Sequence, residues 1–397
     1  MSTVCLSMII KNETHIIQEC LDSMWKHIDY WVIVDTGSID GTQDLVRNFF
    51  AEKGIPGELI ERPWVNFGHN RTEAISLCDG KADYLWMIDA DDKISGNFKY
   101  PNNKNLTADT YNLKFGTPHC SWWRNQIFKA GIGWHYVGVV HEYAHCPKEG
   151  GFTQERIEGD YYVEARTLGG ERNLGKTAVE KYSADAVVLL KALETEPENT
   201  RYWFYLGQSY FDSQQWEKSA EAYSKRIQLG GWEEECYYSS FRLALIAINQ
   251  EKPWEFIQAR FLDSFDYRPC RAEGLHAISR WLRAINRPRA AYIFAKQAAS
   301  LPFPAQDILF VDRGVYDWMC LDELGATSWW VHDFQSGYNA CERLLREGHL
   351  PESEIPRVKN NLEQYRSKLS EIALHNQNIL RLKREEEKKN INKFKKR

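Results

Sequence analysis

Two apolar runs of strand length, Tyr30–Val34 and Tyr84–Ile88, each end on an aspartate, Asp35 and Asp89. Continuous apolar runs of this length mark strands buried on both faces, as in a parallel sheet. The stretches around them carry a helical period. Val4–Ile10 reads as the first strand. Ile17, Cys20, Leu21 and Met24 then recur at helical spacing, with Asn12 or Thr14 as the N-cap. Asp44–Phe50 reads as a helix, Glu58–Glu61 as a short strand and His69–Cys78 as another helix. Strands alternating with helices over roughly the first 95 residues predict βαβ units and a mostly parallel α/β sheet. Ligands of such open sheets bind outside the carboxyl ends of the strands. Topology alone therefore brings Asp35 and Asp89 to one rim.

The pattern then changes twice. Tyr111–Tyr162 holds short aromatic strands punctuated by glycines, which predicts an antiparallel excursion completing the first domain. Thr167–Gly175, with three glycines, reads as the linker. Beyond it Val179, Tyr182, Ala186, Leu189, Leu190 and Leu193 follow a helical period that Pro197 ends. Trp203, Leu206, Gly207, Tyr210 and Tyr223 resemble a tetratricopeptide repeat. Tyr237–Ile248 with Trp254–Phe265, and Leu275–Ile285 with Ala290–Ala299, read as diverged repeats, with small residues at Gly207, Ala220, Ala222 and Ala244 for helix packing. The expected division is an α/β domain over 1–166, an all-α helical-repeat domain over 176–375 and a charged tail over 376–397. Within that tail, Arg381–Arg397 alternates basic and acidic blocks and reads as a solvated helix end or disordered tail.

Composition excludes several classes. A net charge of −5 spread through the body of the chain gives no nucleic-acid footprint. Nine cysteines without a CxxC pair fit neither a disulfide framework nor a zinc ribbon, and point to a reducing compartment, the cytoplasm. No apolar stretch approaches the ~18 residues of a membrane span, and the N-terminus lacks a signal sequence. The chain carries 15 Trp, 20 Tyr and 18 Phe, an enrichment that fits stacking on sugar faces but that helix-packing anchors in a repeat domain account for in the main.

The strongest chemical signal is Asp89-Ala90-Asp91-Asp92 after a buried strand. Carboxylates at a strand end can hold a divalent cation, Mn²⁺ or Mg²⁺, and leave coordination positions open for substrate phosphates. An acidic turn capping a helix is the plainer alternative. Asp35-Thr36-Gly37-Ser38-Ile39-Asp40-Gly41-Thr42 is the second signal. Asp35 can accept from a base N–H or a ribose hydroxyl, and Gly37 permits a tight turn. A third pattern, His141-Glu142-Tyr143-Ala144-His145, matches the zinc-protease HExxH motif. That chemistry needs a helix to put both histidines on one face. The preceding Tyr136–Val140 reads as β, and Pro147 and Gly150-Gly151 follow, so the match is accidental and His145 is a surface or packing residue. Trp122-Trp123-Arg124 reads equally as a sugar platform with a phosphate contact or as core. His69, His119 and His135 read as structural, and Cys120 has no partner suggesting a nucleophile.

Taken in order, Ser7-Met8-Ile9-Ile10-Lys11-Asn12-Glu13, the Val34–Thr42 loop and Ile88-Asp89-Ala90-Asp91-Asp92 resemble family 2 glycosyltransferases of GT-A fold. Gly138-Val139-Val140-His141-Glu142 and Phe204–Tyr210 extend the resemblance to the branch with appended tetratricopeptide repeats. The resemblance implies transfer of a sugar, with inversion, from a nucleotide-sugar donor, a UDP-hexose above all. It places Asp35 at the base with Asn12 and Glu13 nearby, Asp89 by the ribose and metal, and Asp91 as principal metal ligand. His141 would complete the metal site and Arg71, in Gly68-His69-Asn70-Arg71, would face the donor. The family's later Glu-Asp pair, a usual source of the base, is absent, which leaves Asp92 and Glu142 as candidates. The acceptor stays open among protein, glycan and lipid-linked sugar. Two other classes remain as alternatives: a non-catalytic repeat scaffold with a degenerate nucleotide-binding domain, and the disfavoured zinc hydrolase.

Overall fold

A computed structural model describes residues 1–116, 121–166, 170 and 174–394. His119, Cys120 and most of the Thr167–Gly175 linker lie outside the described residues. The chain divides into two compact units, Met1–Ser219 and Ala220–Arg397.

The first unit is built on a mixed sheet. Its strands are β1 (Val4–Ile10), β2 (Tyr30–Asp35), β3 (Gly57–Glu61), β4 (Tyr84–Met87), β5 (Asp92–Gly96), β6 (Thr110–Gly116), β7 (Ser121–Lys129), β8 (His135–Val137), β9 (Tyr143–His145), β10 (Gln154–Arg156) and β11 (Tyr161–Ala165). The order is β3-β2-β1-β4-β7-β6-β11-β5, with β10 on β6 and a separate β8–β9 hairpin. β3, β2, β1 and β4 run parallel, as the apolar runs predict. The region after β4 is mixed rather than purely antiparallel. β7 pairs antiparallel to β4 and β6, whereas β10 and β11 pair parallel to β6.

Helices α1 (Ile17–Met24), α2 (Thr42–Lys53) and α3 (Phe67–Leu77) cover both faces. Val4, Leu6, Met8 and Ile10 pack with Ile17, Leu21, Val46 and Phe50 in one core, while Cys5, Val32 and Val34 pack with Ala74, Ile75 and Cys78 in the other. Period-two side-chain alternation splits β1 between these layers. One expectation fails. The N-cap of α1 is Ile16, without a side-chain bond, not Asn12 or Thr14. Both candidates are drawn to the facing loop, Asn12 by the Ile39 N–H and Thr14 by Asp40.

Two full helices follow in the first unit, α4 (Ala178–Leu193) and α5 (Thr200–Asp212), packed as a pair. A capping box of Thr177 and Glu180 starts α4, and the Asn199 side chain caps α5. The boundary of the compact units falls inside α6 (Trp216–Leu229), well beyond the sequence linker.

The second unit is helical: α7 (Glu233–Asn249), α8 (Trp254–Tyr267), α9 (Glu273–Ala284), α10 (Pro288–Ser300), α11 (Cys320–Thr327), α12 (Phe334–Glu347) and α13 (Ile355–Phe394). α7 packs on α8 and α9 on α10, the consecutive pairs that the repeat pattern expects. Ala244, Ala247, Ile257, Phe261, Ile278 and Ala291 fill the space between them. Charges buried here are paired: Arg226 with Glu235 at 2.7 Å, and Arg271 with Glu273 at 2.9 Å. The charged tail read from 376 onward continues α13 as a helix, and the described side chains past 376 are exposed. Among the described residues no helix is long and apolar enough to cross a membrane.

Candidate active site

Because β2 and β4 flank β1 and run parallel to it, their carboxyl ends open on the same rim. The first wall comes from the loops after β1 and β2. Asp35 is 1% exposed. Its carboxylate accepts from the Gly37 N–H at 3.3 Å, the Ser38 N–H at 3.1 Å and Gln43 Nε2 at 2.6 Å, and from the Ser38 hydroxyl. These bonds hold the turn in which Gly37 takes φ +109°, a conformation costly for any side chain. The Asn12 N–H donates to Ser38 Oγ at 2.9 Å, and the Glu13 N–H to Thr42 Oγ1 at 2.8 Å. Asn12, Glu13 and Asp35 are thus laced into one wall, with Asp35 spent on shaping it.

The second wall alternates charge. α3 is anchored by its N-cap Asn66, which accepts from the His69 N–H at 2.8 Å, and by Asn70, which accepts from the Val65 N–H at 2.9 Å. It delivers Arg71, 4% exposed, between two carboxylates. One terminal amine binds Asp89, and Nε lies 2.8 Å from Glu142 Oε1. Arg124, on β7, stands 3.7 Å from the other oxygen of Asp89. The row reads Glu142, Arg71, Asp89, Arg124. Burial pushes the Asp89 carboxyl up, but Arg71 and then Arg124 overcome this and hold it below the usual range. At Asp91 the opposing charge of Arg166 is outweighed. Its own burial, and then the charge of Asp89, push it up to about 6. Asp92 is pushed well up by burial and by Asp89.

Neither base candidate presents an open carboxylate here. Asp92 is 3% exposed, sits in β5 opposite Ala165 and accepts the Asp89 N–H at 3.4 Å. Glu142 is committed to Arg71. The His141 ring stacks on Tyr205 of α5, with centroids 4.1 Å apart. Among the described residues no three His, Cys, Asp or Glu side chains form a metal-ready group. The HExxH letters fall on a left-handed residue, His141 at φ +52°, and on strand β9. His145 faces His135 across the β8–β9 hairpin, so the helical face of a zinc protease does not exist.

Two further arginines, Arg124 and Arg166, stand at the site. Arg124 shares one face of β7 with Trp122, which is 49% exposed, while Trp123 lies under Lys114 and Arg156. Strand alternation was the available signal. Arg166, whose Nε donates to the Asp91 carbonyl at 2.8 Å, had none.

Gly68 sets how closely α3 approaches the loop that carries Glu142. A Cβ there would meet the Gly138 carbonyl oxygen at 2.3 Å, a backbone atom that cannot swing aside. Gly68→Ala is expected to cost about 1–3 kcal/mol in urea unfolding, the usual overpacking cost. An unchanged midpoint would show that the loop yields freely.

Residues 5–101 match the family model described as glycosyl transferase family 2. A TPR repeat-containing protein of Synechococcus elongatus is 30% identical over 95 residues, 24% of this chain and 22% of the relative. The lipopolysaccharide core biosynthesis glycosyltransferase LpsC of Rhizobium meliloti is 30% identical over 87 residues, 22% of this chain and 31% of the relative. The matches thus span less than a third of either relative. Among solved structures, S. aureus TarS 1-349 in complex with UDP-GlcNAc gives a TM-score of 0.36 at 14% identity, over 67% of this chain and 89% of that one. MamA gives 0.33 at 13% identity, over 42% and 89%. At these TM-scores neither superposition bears on the fold, which rests on strand order and helix pairing. The residues that match the glycosyl transferase family 2 model, 5–101, carry Asp35, Arg71, Asp89 and Asp91.

Proposed function

We propose that the first unit transfers a hexose from a UDP-sugar to an acceptor hydroxyl, with inversion at the anomeric carbon. The observation that carries this reading is the Asp89–Asp91 pair on the carboxyl rim, beside buried Arg71 and half-exposed Arg124. The bond from the anomeric carbon to the diphosphate breaks, one to the acceptor oxygen forms, and the hydroxyl proton leaves to a base. Arg71 and Arg124 are cations placed where a departing diphosphate gathers charge, the interaction that strengthens toward the transition state. The wall of Asn12, Glu13 and Asp35 would seat the uracil and ribose.

A divalent cation, Mn²⁺ or Mg²⁺, fits this donor set through Asp91. Its carboxyl is pushed up by burial and by Asp89, a repulsion that a cation would relieve. When bound, the cation would neutralise charge on the leaving diphosphate. Asp89 would lie beside it, and His141 would join only by leaving Tyr205. Helical pairs commonly bind extended chains, which favours a protein or glycan acceptor over a lipid-linked sugar. The free thiols of Cys5, Cys20, Cys78 and Cys146 suit a reducing cytoplasm.

The test is UDP release from a panel of UDP-hexoses, with Mn²⁺, Mg²⁺ or EDTA, alongside calorimetric donor binding. Metal-stimulated release from at least one donor is expected. Neither turnover nor binding of any donor, with metal present, would overturn the reading in favour of a scaffold.

A further inference from the structure

Residues 138–142 carry Glu142, the partner of Arg71, yet they have little regular structure of their own. Gly138 stands at φ +110° and His141 at φ +52°, and the strand of β9 begins only at Tyr143. A non-glycine residue in the left-handed region needs surroundings that hold it there. Those surroundings come from α5. The Arg201 guanidinium donates to the His141 carbonyl at 2.8 Å. It also lies 4.8 Å from the ring centroids of both Tyr143 and Tyr205, and Tyr205 stacks on the His141 imidazole. Helical spacing puts residues 201 and 205 on one side of α5, so His141 and Tyr143 are both held against one helix face.

We infer that Arg201 is a positioning residue for the donor site, acting through Glu142 and Arg71. It touches neither Asp89 nor Asp91. It fixes the His141 carbonyl, which sets the next residue, Glu142, whose carboxylate forms an ion pair with the Arg71 guanidinium, whose amine binds Asp89. The first helix pair after the sheet is therefore part of the catalytic unit. This inference rests on the proposed transferase reading for its kinetic consequence, but not for its structural one.

Four measurements test it. Arg201→Ala is expected to lower kcat about tenfold, with donor KM changed less than about twofold, because Arg201 aligns Arg71 without touching the donor. In a Glu142→Gln background, the same substitution is expected to cost less than about threefold, since residues acting in series are not additive. Arg201→Lys keeps one donor for the His141 carbonyl and is expected to recover most of the loss. Independently of any activity, hydrogen–deuterium exchange at residues 139–143 should quicken in Arg201→Ala while exchange in β1 and β4 stays unchanged. Additive kinetic losses, or unchanged exchange in that loop, would overturn the inference. Faster exchange throughout the sheet would do so too, because it would mean general destabilisation. If the wild-type chain turns over no donor, the transferase reading fails, and the exchange measurement alone decides whether α5 holds the loop.

Discussion

Arg71→Met is expected to destabilise the first unit by about 3–5 kcal/mol, the usual cost of removing one partner from a buried ion pair. Donor turnover should fall with it, by about two to three orders of magnitude, since the variant also loses a preorganised cation at the leaving group. Arg71 is 4% exposed and serves two carboxylates at once, so its removal leaves both Asp89 and Glu142 without their main counter-ion. The loss depends on pH, with a definite sign. Arg71 and Arg124 depress the Asp89 carboxyl, so this group contributes stability above its unfolded value of 3.8 and loses it as pH falls through the folded value. Most of that contribution disappears in Arg71→Met. The gap between wild type and variant should therefore be widest near neutrality and narrow below about pH 4. Arg71→Lys keeps the charge but not the fork that reaches two partners, and should fall between. Urea unfolding from acid to neutral pH reads all of this. A gap that stays constant with pH would show that packing, not charge, is what Arg71 supplies.

The rim was legible in the sequence because it depends on local signals. A strand buried on both faces must be apolar throughout, so the residue at which the run stops marks its carboxyl end. This identified Asp35 and Asp89, whose strands are neighbours of β1. The helices also showed through, since their buried faces repeat at a fixed spacing. What stayed hidden depends on contacts across the chain. β5 begins with buried Asp92 and exists only because β11 pairs with it, so no apolar run announces it. Asn12 and Thr14 have the chemistry of N-caps, yet the loop after β2 claims them first. His141 has the chemistry of a ligand, but its ring is taken by Tyr205, a residue of the helical stretch that the sequence assigned to another domain. The same separation concealed Arg201. Its role arises from where α5 packs, and nothing in the residues around it records that.

Asp91→Asn is expected to have the opposite signature to Arg71→Met: a large loss of activity with stability kept or improved. Donor turnover should fall by about two to three orders of magnitude, the several kcal/mol that a metal can contribute to transition-state charge stabilisation. The reason for the stability gain lies in the carboxyl itself. Burial and the Asp89 charge push Asp91 up to about 6, so its ionised form is disfavoured in the folded chain. A folded value raised above the unfolded one contributes stability that is complete below the unfolded value and is lost as pH rises through the folded one. Without metal, the wild-type chain should therefore lose stability relative to Asp91→Asn between about pH 4 and pH 6.5, with a constant gap above that. Added Mn²⁺ should close the gap, because a cation bound only by the folded chain stabilises it by mass action, and the amide variant should respond little. Unfolding in EDTA and in Mn²⁺ across that range gives both readings. If Asp91→Asn keeps full turnover, or if Mn²⁺ stabilises both chains equally, Asp91 is not the ligand and the cation must be held elsewhere on the rim.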